Sequence, residues 1–255
     1  MRVFIPILSL LLPLITAAGV FAEISTPSSD RAATRPKTAK QVVDELCADL
    51  KARPSFTVDM EVTYDDVLDS GSKVQYTAYQ NIWVQKPDRL RSDYIGDERV
   101  TRFFYDGKTF TLEDRQRNLY VTKPAPNTLD GALDRVAEKY GITIPMSNLV
   151  ASDPCADILA NVTQIIFVGN DMVDGEPMYH LLLVGSDRDF QIWVTPDVTP
   201  LLRKVIITYK NLPGSPQYTA ILDDWKFDPS IPADTFTFKP TEESIGVEIL
   251  PAAGN

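Results

Sequence analysis

Between Phe56 and Tyr64 every second residue is apolar: Phe56, Val58, Met60, Val62 and Tyr64 alternate with Thr57, Asp59, Glu61 and Thr63. A period of two puts the apolar set on one face of a strand and leaves the other face wet. From His180 to Phe227 the pattern changes. Leu181 and Leu183 would point one way and Leu182 and Val184 the other, while Val205 and Ile207 oppose Leu202 and Ile206. Strands apolar on both sides are covered on both sides. Turn residues interrupt the runs at Gly185-Ser186-Asp187, at Thr195-Pro196-Asp197 and at Leu212-Pro213-Gly214, the spacing of an antiparallel meander.

The same reading extends upstream. Strands are expected over Lys73 to Gln85, Arg89 to Ile95, Arg99 to Tyr105, Thr109 to Glu113 and Asn118 to Thr122. Asp106-Gly107 has the composition of a type I′ hairpin turn. Further strands fit Thr163 to Val173 and Met178 to Val184, joined at Asp174-Gly175, with a last alternating one at Thr235 to Phe238 and a short one at Val247 to Leu250.

Helical periodicity occurs in few places. Thr38-Ala39-Lys40-Gln41 is a capping box, and Val42, Val43, Leu46, Cys47 and Leu50 then share one face until Arg53-Pro54. Asn127 or Thr128 can cap a second helix, with Leu129, Leu133, Val136 and Tyr140 as its stripe and Gly141 as its stop. Asp153-Pro154 is a start signal for a shorter helix carrying Cys155, Ile158 and Leu159. The expected fold class is α+β, mostly β: a strongly curved antiparallel sheet with helices over its concave side. Pattern alone leaves open whether the space between them is solid core or a ligand cavity.

The first 22 residues read as an export signal, with Arg2, an apolar run from Val3 to Leu14 and a small-residue site ending at Ala22. Residues 23–37, rich in Ser, Thr and Pro, form a flexible lead-in, and 38–255 a single domain with a helical insertion at about 127–160. The localisation expected is periplasmic or otherwise exported. The net charge of −10 disfavours nucleic acid and anionic membrane surfaces as partners. No integral membrane segment is expected after signal cleavage. Cys47 and Cys155, an even pair in an oxidising compartment, point to a bridge, with two buried thiols as the alternative.

Motifs for catalysis are weak. His180 is the only histidine, which excludes HExxH zinc proteases and multi-histidine metal centres. Gly185-Ser186-Asp187 is a turn without a GxSxG context, and the carboxylates at Asp65, Asp66, Asp69, Asp171 and Asp174 sit where turns use them. No cofactor, metal site or catalytic residue is assigned, although a hydrolase centred on His180 stays as a third reading.

The order YDGKTF from Tyr105 to Phe110, then YHLLL, FQIWV, PLLRKVIITY, PQYTAILDDW and DTFTF, resembles an uncharacterised family of predicted exported bacterial proteins. That family is similar in architecture to the periplasmic carriers of outer-membrane lipoproteins, the LolA/LolB-like fold. The resemblance spans about Val42 to Leu250 and places His180, Gln191, Trp193, Arg203 and Trp225 on matching positions. It implies an incomplete antiparallel barrel with a helical lid around an apolar cavity that in the carriers accepts acyl chains. The expected function is a non-enzymatic binder of a lipid or acylated protein; the alternative is a sensor or assembly module binding another envelope protein. Strand parity and side-chain chemistry nominate Trp83, Phe104, Leu129, Leu133, His180, Leu182, Trp193, Ile206 and Trp225 as lining residues.

Overall fold

Alternating strands build two meanders, and the chain's long return joins them edge to edge. The computed structural model describes residues 37–251 apart from Thr143 and Pro145. The expected export signal and nearly all of the lead-in lie outside the described residues. The first meander comprises β1 (Ser55–Val67), β2 (Lys73–Gln85), β3 (Arg89–Gly96), β4 (Val100–Tyr105), β5 (Thr109–Asp114) and β6 (Leu119–Pro124). The second comprises β7 (Val162–Val173), β8 (Glu176–Gly185), β9 (Arg188–Val194), β10 (Leu202–Tyr209) and β11 (Gln217–Phe227). β11 pairs antiparallel with β1, so both meanders belong to one open, curved sheet. A two-residue strand, β12 (Ile245–Gly246), adds a parallel pairing against β6. The sheet therefore ends at β12 and at β7.

Helices cover one face, called inner here. In α1 (Ala39–Ala52) the Thr38 side chain accepts from the Gln41 N–H and the Gln41 side chain returns the bond to the Thr38 N–H, as the sequence predicts. In α2 (Leu129–Tyr140) Thr128 is the cap, and Gly141 closes the helix at φ 64°, a left-handed conformation that glycine adopts freely. Two short pieces follow, α3 (Ser147–Val150) and α4 (Ala156–Ala160). α3 carries no sequence periodicity to announce it. α4 starts two residues later than Pro154 because Cys155 takes the cap position.

The inner-face side chains of β1, Phe56, Val58, Met60 and Val62, join Val42, Val43, Leu46 and Leu50 of α1 in one buried cluster with Leu181, Leu183, Ile192, Val205, Ala220 and Leu222 from the second meander. Burying each large member contributes about 1.5–3 kcal/mol relative to exposure. On the outer face of the second meander, Val173, Met178 and Trp193 form a smaller cluster with Ile206 against it. There the strands' own side chains cover one another.

Several expectations are corrected. Asp174 and Gly175 both take positive φ, but of Asp106 and Gly107 only the glycine does. The Asp106 carboxylate instead accepts from the backbone N–H groups of Lys108 and Thr109 at 3.0 and 2.8 Å, a local turn that needs no left-handed aspartate. The expected strand at Thr235 to Phe238 is largely a 3-10 turn, Ala233–Phe236. Its alternation has another cause: Phe236 is buried, and Phe238 packs on Phe104 and Tyr120 of the outer face. The final strand pairs at Ile245–Gly246 rather than at Val247 to Leu250.

Candidate functional site

Between β8–β10 and the helices the inner face is hollow. A cavity of 430 Å³ is bounded by Val43, Leu46 and Leu50 of α1, by Leu149, Ile158 and Leu159 of α3 and α4, and by Leu183, Phe190, Ile192, Leu202, Val205 and Ile207 of the sheet. The volume falls within the range of small-molecule sites, and the wall is mostly aliphatic. Ser147, Asn148, Asp157, Asn161, Asp187 and Arg188 add polar groups to the lining.

Strand register explains the sheet wall. Leu181 pairs with Ile192 and Leu183 with Phe190, and Val205 and Ile207 continue the row across β9. These are cross-strand neighbours on one face. Leu202 would belong to the opposite face by simple parity. The ladder between β9 and β10 shifts register between Leu202 and Lys204, and the irregularity returns Leu202 to the inner face beside Val205.

The roof is held by covalent and polar ties. Cys47 of α1 is bonded to Cys155 just before α4, with Cα atoms 5.8 Å apart at a sequence separation of 108, and both cysteines line the cavity. Lys51 reaches Asp153 at 2.6 Å, and Asp130 of α2 accepts from the Ser152 backbone N–H at 2.8 Å. Within the polar lining, the Asp187 carboxylate accepts from Arg188 Nε and Nη2 at 3.0 and 2.8 Å. That bond to Arg188 holds the Asp187 carboxyl below the ordinary carboxylate range despite partial desolvation.

The nine side chains nominated from sequence stand elsewhere. Leu129 and Leu133 of α2 and Trp225 of β11 lie in or against the inner core, where Trp225 packs on Phe56 and donates from its indole N–H to the Leu202 carbonyl at 3.0 Å. Trp83 and Phe104 share the outer face of β2–β4, with the Arg91 guanidinium 5.0 and 5.1 Å from their ring centres. His180, Leu182, Trp193 and Ile206 share the outer face of β8–β10. There the His180 ring stacks on Trp193 at 4.1 Å, Nδ1 meets Asp171 at 2.7 Å and Nε2 meets the Gln191 amide oxygen at 3.1 Å. Both ring nitrogens are thus engaged by side-chain oxygens of the flanking strands β7 and β9. None of the nine lines the cavity. Parity divides each strand into two sets, but it does not say which set faces the helices; the odd-numbered residues of β8 do.

Among the described residues no group of three or more His, Cys, Asp or Glu side chains is placed to hold a metal, and no helix is long and apolar enough to cross a membrane.

Residues 39–250 match the model of DUF2092, a family described as a predicted periplasmic protein. The chain belongs to this family. With that description the chain is periplasmic, the localisation expected from its sequence. A search of curated proteins finds no match. Among solved structures, an uncharacterised conserved protein of Thermus thermophilus aligns at 8% identity and a TM-score of 0.45, covering 83% of this chain and 99% of that one. The Mycobacterium tuberculosis lipoprotein LppX aligns at 13% identity and 0.42, covering 76% and 97%. A LolA superfamily protein of Nitrosomonas europaea aligns at 15% identity and 0.36, covering 79% and 98%.

Proposed function

We propose that the protein is a periplasmic, non-enzymatic binder of a lipid or acyl chain, held in the cavity between β8–β10 and the roof formed by α1, α3 and α4. The observation that carries this reading is the 430 Å³, mostly aliphatic cavity between the sheet and the helices. Interiors are ordinarily filled to the density of organic crystals, and an unfilled apolar volume sacrifices contacts. Burying acyl methylenes restores those contacts at about 0.8 kcal/mol each, less the cost of ordering the chain. The bond from Cys47 to Cys155 keeps the roof in place over a sheet to which it contributes no hydrogen-bonded strand.

The test is uptake of a fluorescent fatty-acid probe by delipidated protein. Saturable one-to-one binding, weakened at least about tenfold when Val205→Phe places a ring in the cavity, is the expected result. Absence of uptake contradicts the reading and favours a module that docks another envelope protein.

A further inference from the structure

A second cavity, of 240 Å³, lies where the β1–β2, β3–β4 and β10–β11 turns meet, lined by Tyr64, Asp65, Tyr94, Arg99, Tyr209, Leu212, Pro216, Gln217 and Tyr218. Its chemistry differs from that of the aliphatic cavity, yet the two share a wall, because Tyr209 lines both. Register puts the tyrosines there: Tyr218 pairs with Tyr64, and Tyr94 pairs with Gln80, which itself faces Met60 of the inner core.

Two groups in this cavity lack partners. Tyr218 is only 8% exposed, and its hydroxyl has no hydrogen-bond partner among the described residues. A buried phenol left so is desolvated without compensation, and it calls for an acceptor. Burial raises its pKa well above the ordinary value, with Tyr94 and Tyr209 adding to the shift and Arg99 opposing it, so the group remains a donor. Arg99, at the exposed rim, lays its guanidinium 5.0 Å from the Tyr94 ring centre and has no carboxylate within ion-pair distance among the described residues. The acids nearby are already engaged. Asp65 accepts from the Gln217 backbone N–H at 3.0 Å and from Lys73 at 3.3 Å, and Glu98 accepts from the Tyr64 hydroxyl.

We infer that this tyrosine-lined cavity, with the Tyr218 hydroxyl and the Arg99 guanidinium as donors, receives the anionic head, carboxylate or phosphate, of the amphipathic ligand whose apolar chain fills the neighbouring cavity. The inference rests on the proposed function and specifies its ligand class. A charged oxygen meets one neutral and one cationic donor, the stronger kind of hydrogen bond.

Isothermal titration of the delipidated protein with decanol, decanoate and decyl phosphate tests it. At least one of the two anionic ligands should bind about tenfold more tightly than decanol to the native chain, and which one does so distinguishes a fatty-acid carboxylate from a phosphate head. Tyr218→Phe and Arg99→Gln should each reduce that preference severalfold while decanol affinity stays within about twofold. Tyr218→Phe retains the ring, so its apo melting temperature should hold or rise, which separates loss of a donor from loss of structure. Equal affinity for all three ligands, or a preference that survives both substitutions, overturns the head-group inference and leaves the apolar cavity standing. No binding of any of the three overturns both.

Discussion

The two halves of the inner face receive similar residues from the sheet but different covers. Under α2 the space is filled: Phe110 stacks on Phe103 and meets Tyr140 edge-on, Tyr105 donates to the Pro126 carbonyl, and Val136 is fully buried. Under α3 and α4 it is hollow. The difference lies in the helices. α2 has twelve residues, a cap at each end and a continuous apolar stripe, so it can settle its side chains among the aromatics of β4 and β5. α4 has five residues, none of them buried, and α3 has four, so they span the opening without filling it. A roof of short pieces needs tethers, and Cys47–Cys155 and Lys51–Asp153 supply them. Solid packing in one half holds the sheet's shape while the other half keeps an open volume.

The sharpest way to break this contrast is to cut the roof's covalent tether. Replacing both Cys47 and Cys155 by Ala should lower stability by about 4–5 kcal/mol in the chain-entropy picture of a loop of this length, read from urea unfolding. Phe110→Ala in the solid half comes next. It should cost about 3–5 kcal/mol, because neighbours fixed by α2 cannot collapse into the space. The hollow half should respond in the opposite way: Val205→Phe should change stability by less than about 1 kcal/mol, since its added volume enters open space, while probe binding falls at least tenfold. If it destabilises as strongly as Phe110→Ala, the two halves are not different in kind.

The smallest expected effect concerns acid. Burial works to raise the pKa of Asp65, but hydrogen bonds from the Gln217 N–H, Lys73 and Gln75 outweigh it and leave it below the ordinary 3.8. A carboxyl lowered in the folded state contributes stability that is fully present above its unfolded pKa and is lost as pH falls through the folded one. Asp65→Asn should therefore flatten the loss of stability below about pH 4, measured by urea midpoints across that range.

Much of the scaffold behind this contrast could be read from residues. The Thr38 capping box and the Gly141 stop mark α1 and α2, the bounds of β2 follow from its flanking turns, and the Cys47–Cys155 bridge follows from the compartment. The hollow could not be read. α3 and α4 are too short to carry a period, so nothing in the sequence distinguishes a filled half from an open one. The register shift beside Leu202 reverses its facing, and a shift of this kind depends on the neighbouring strand. The indoles at Trp83 and Trp193 attract attention as ligand platforms, yet each is engaged on the outer face, one by Arg91 and the other by His180 and Lys204.

Native mass spectrometry of the protein purified gently from periplasm, beside the Val205→Phe variant, addresses the central claim most directly. The account predicts a wild-type chain carrying one lipid-sized adduct that organic extraction removes, and a variant that emerges bare. A wild-type chain without adduct that also fails to take up lipid added to it, or a variant that retains the adduct, would contradict the claim that the hollow half is a lipid site.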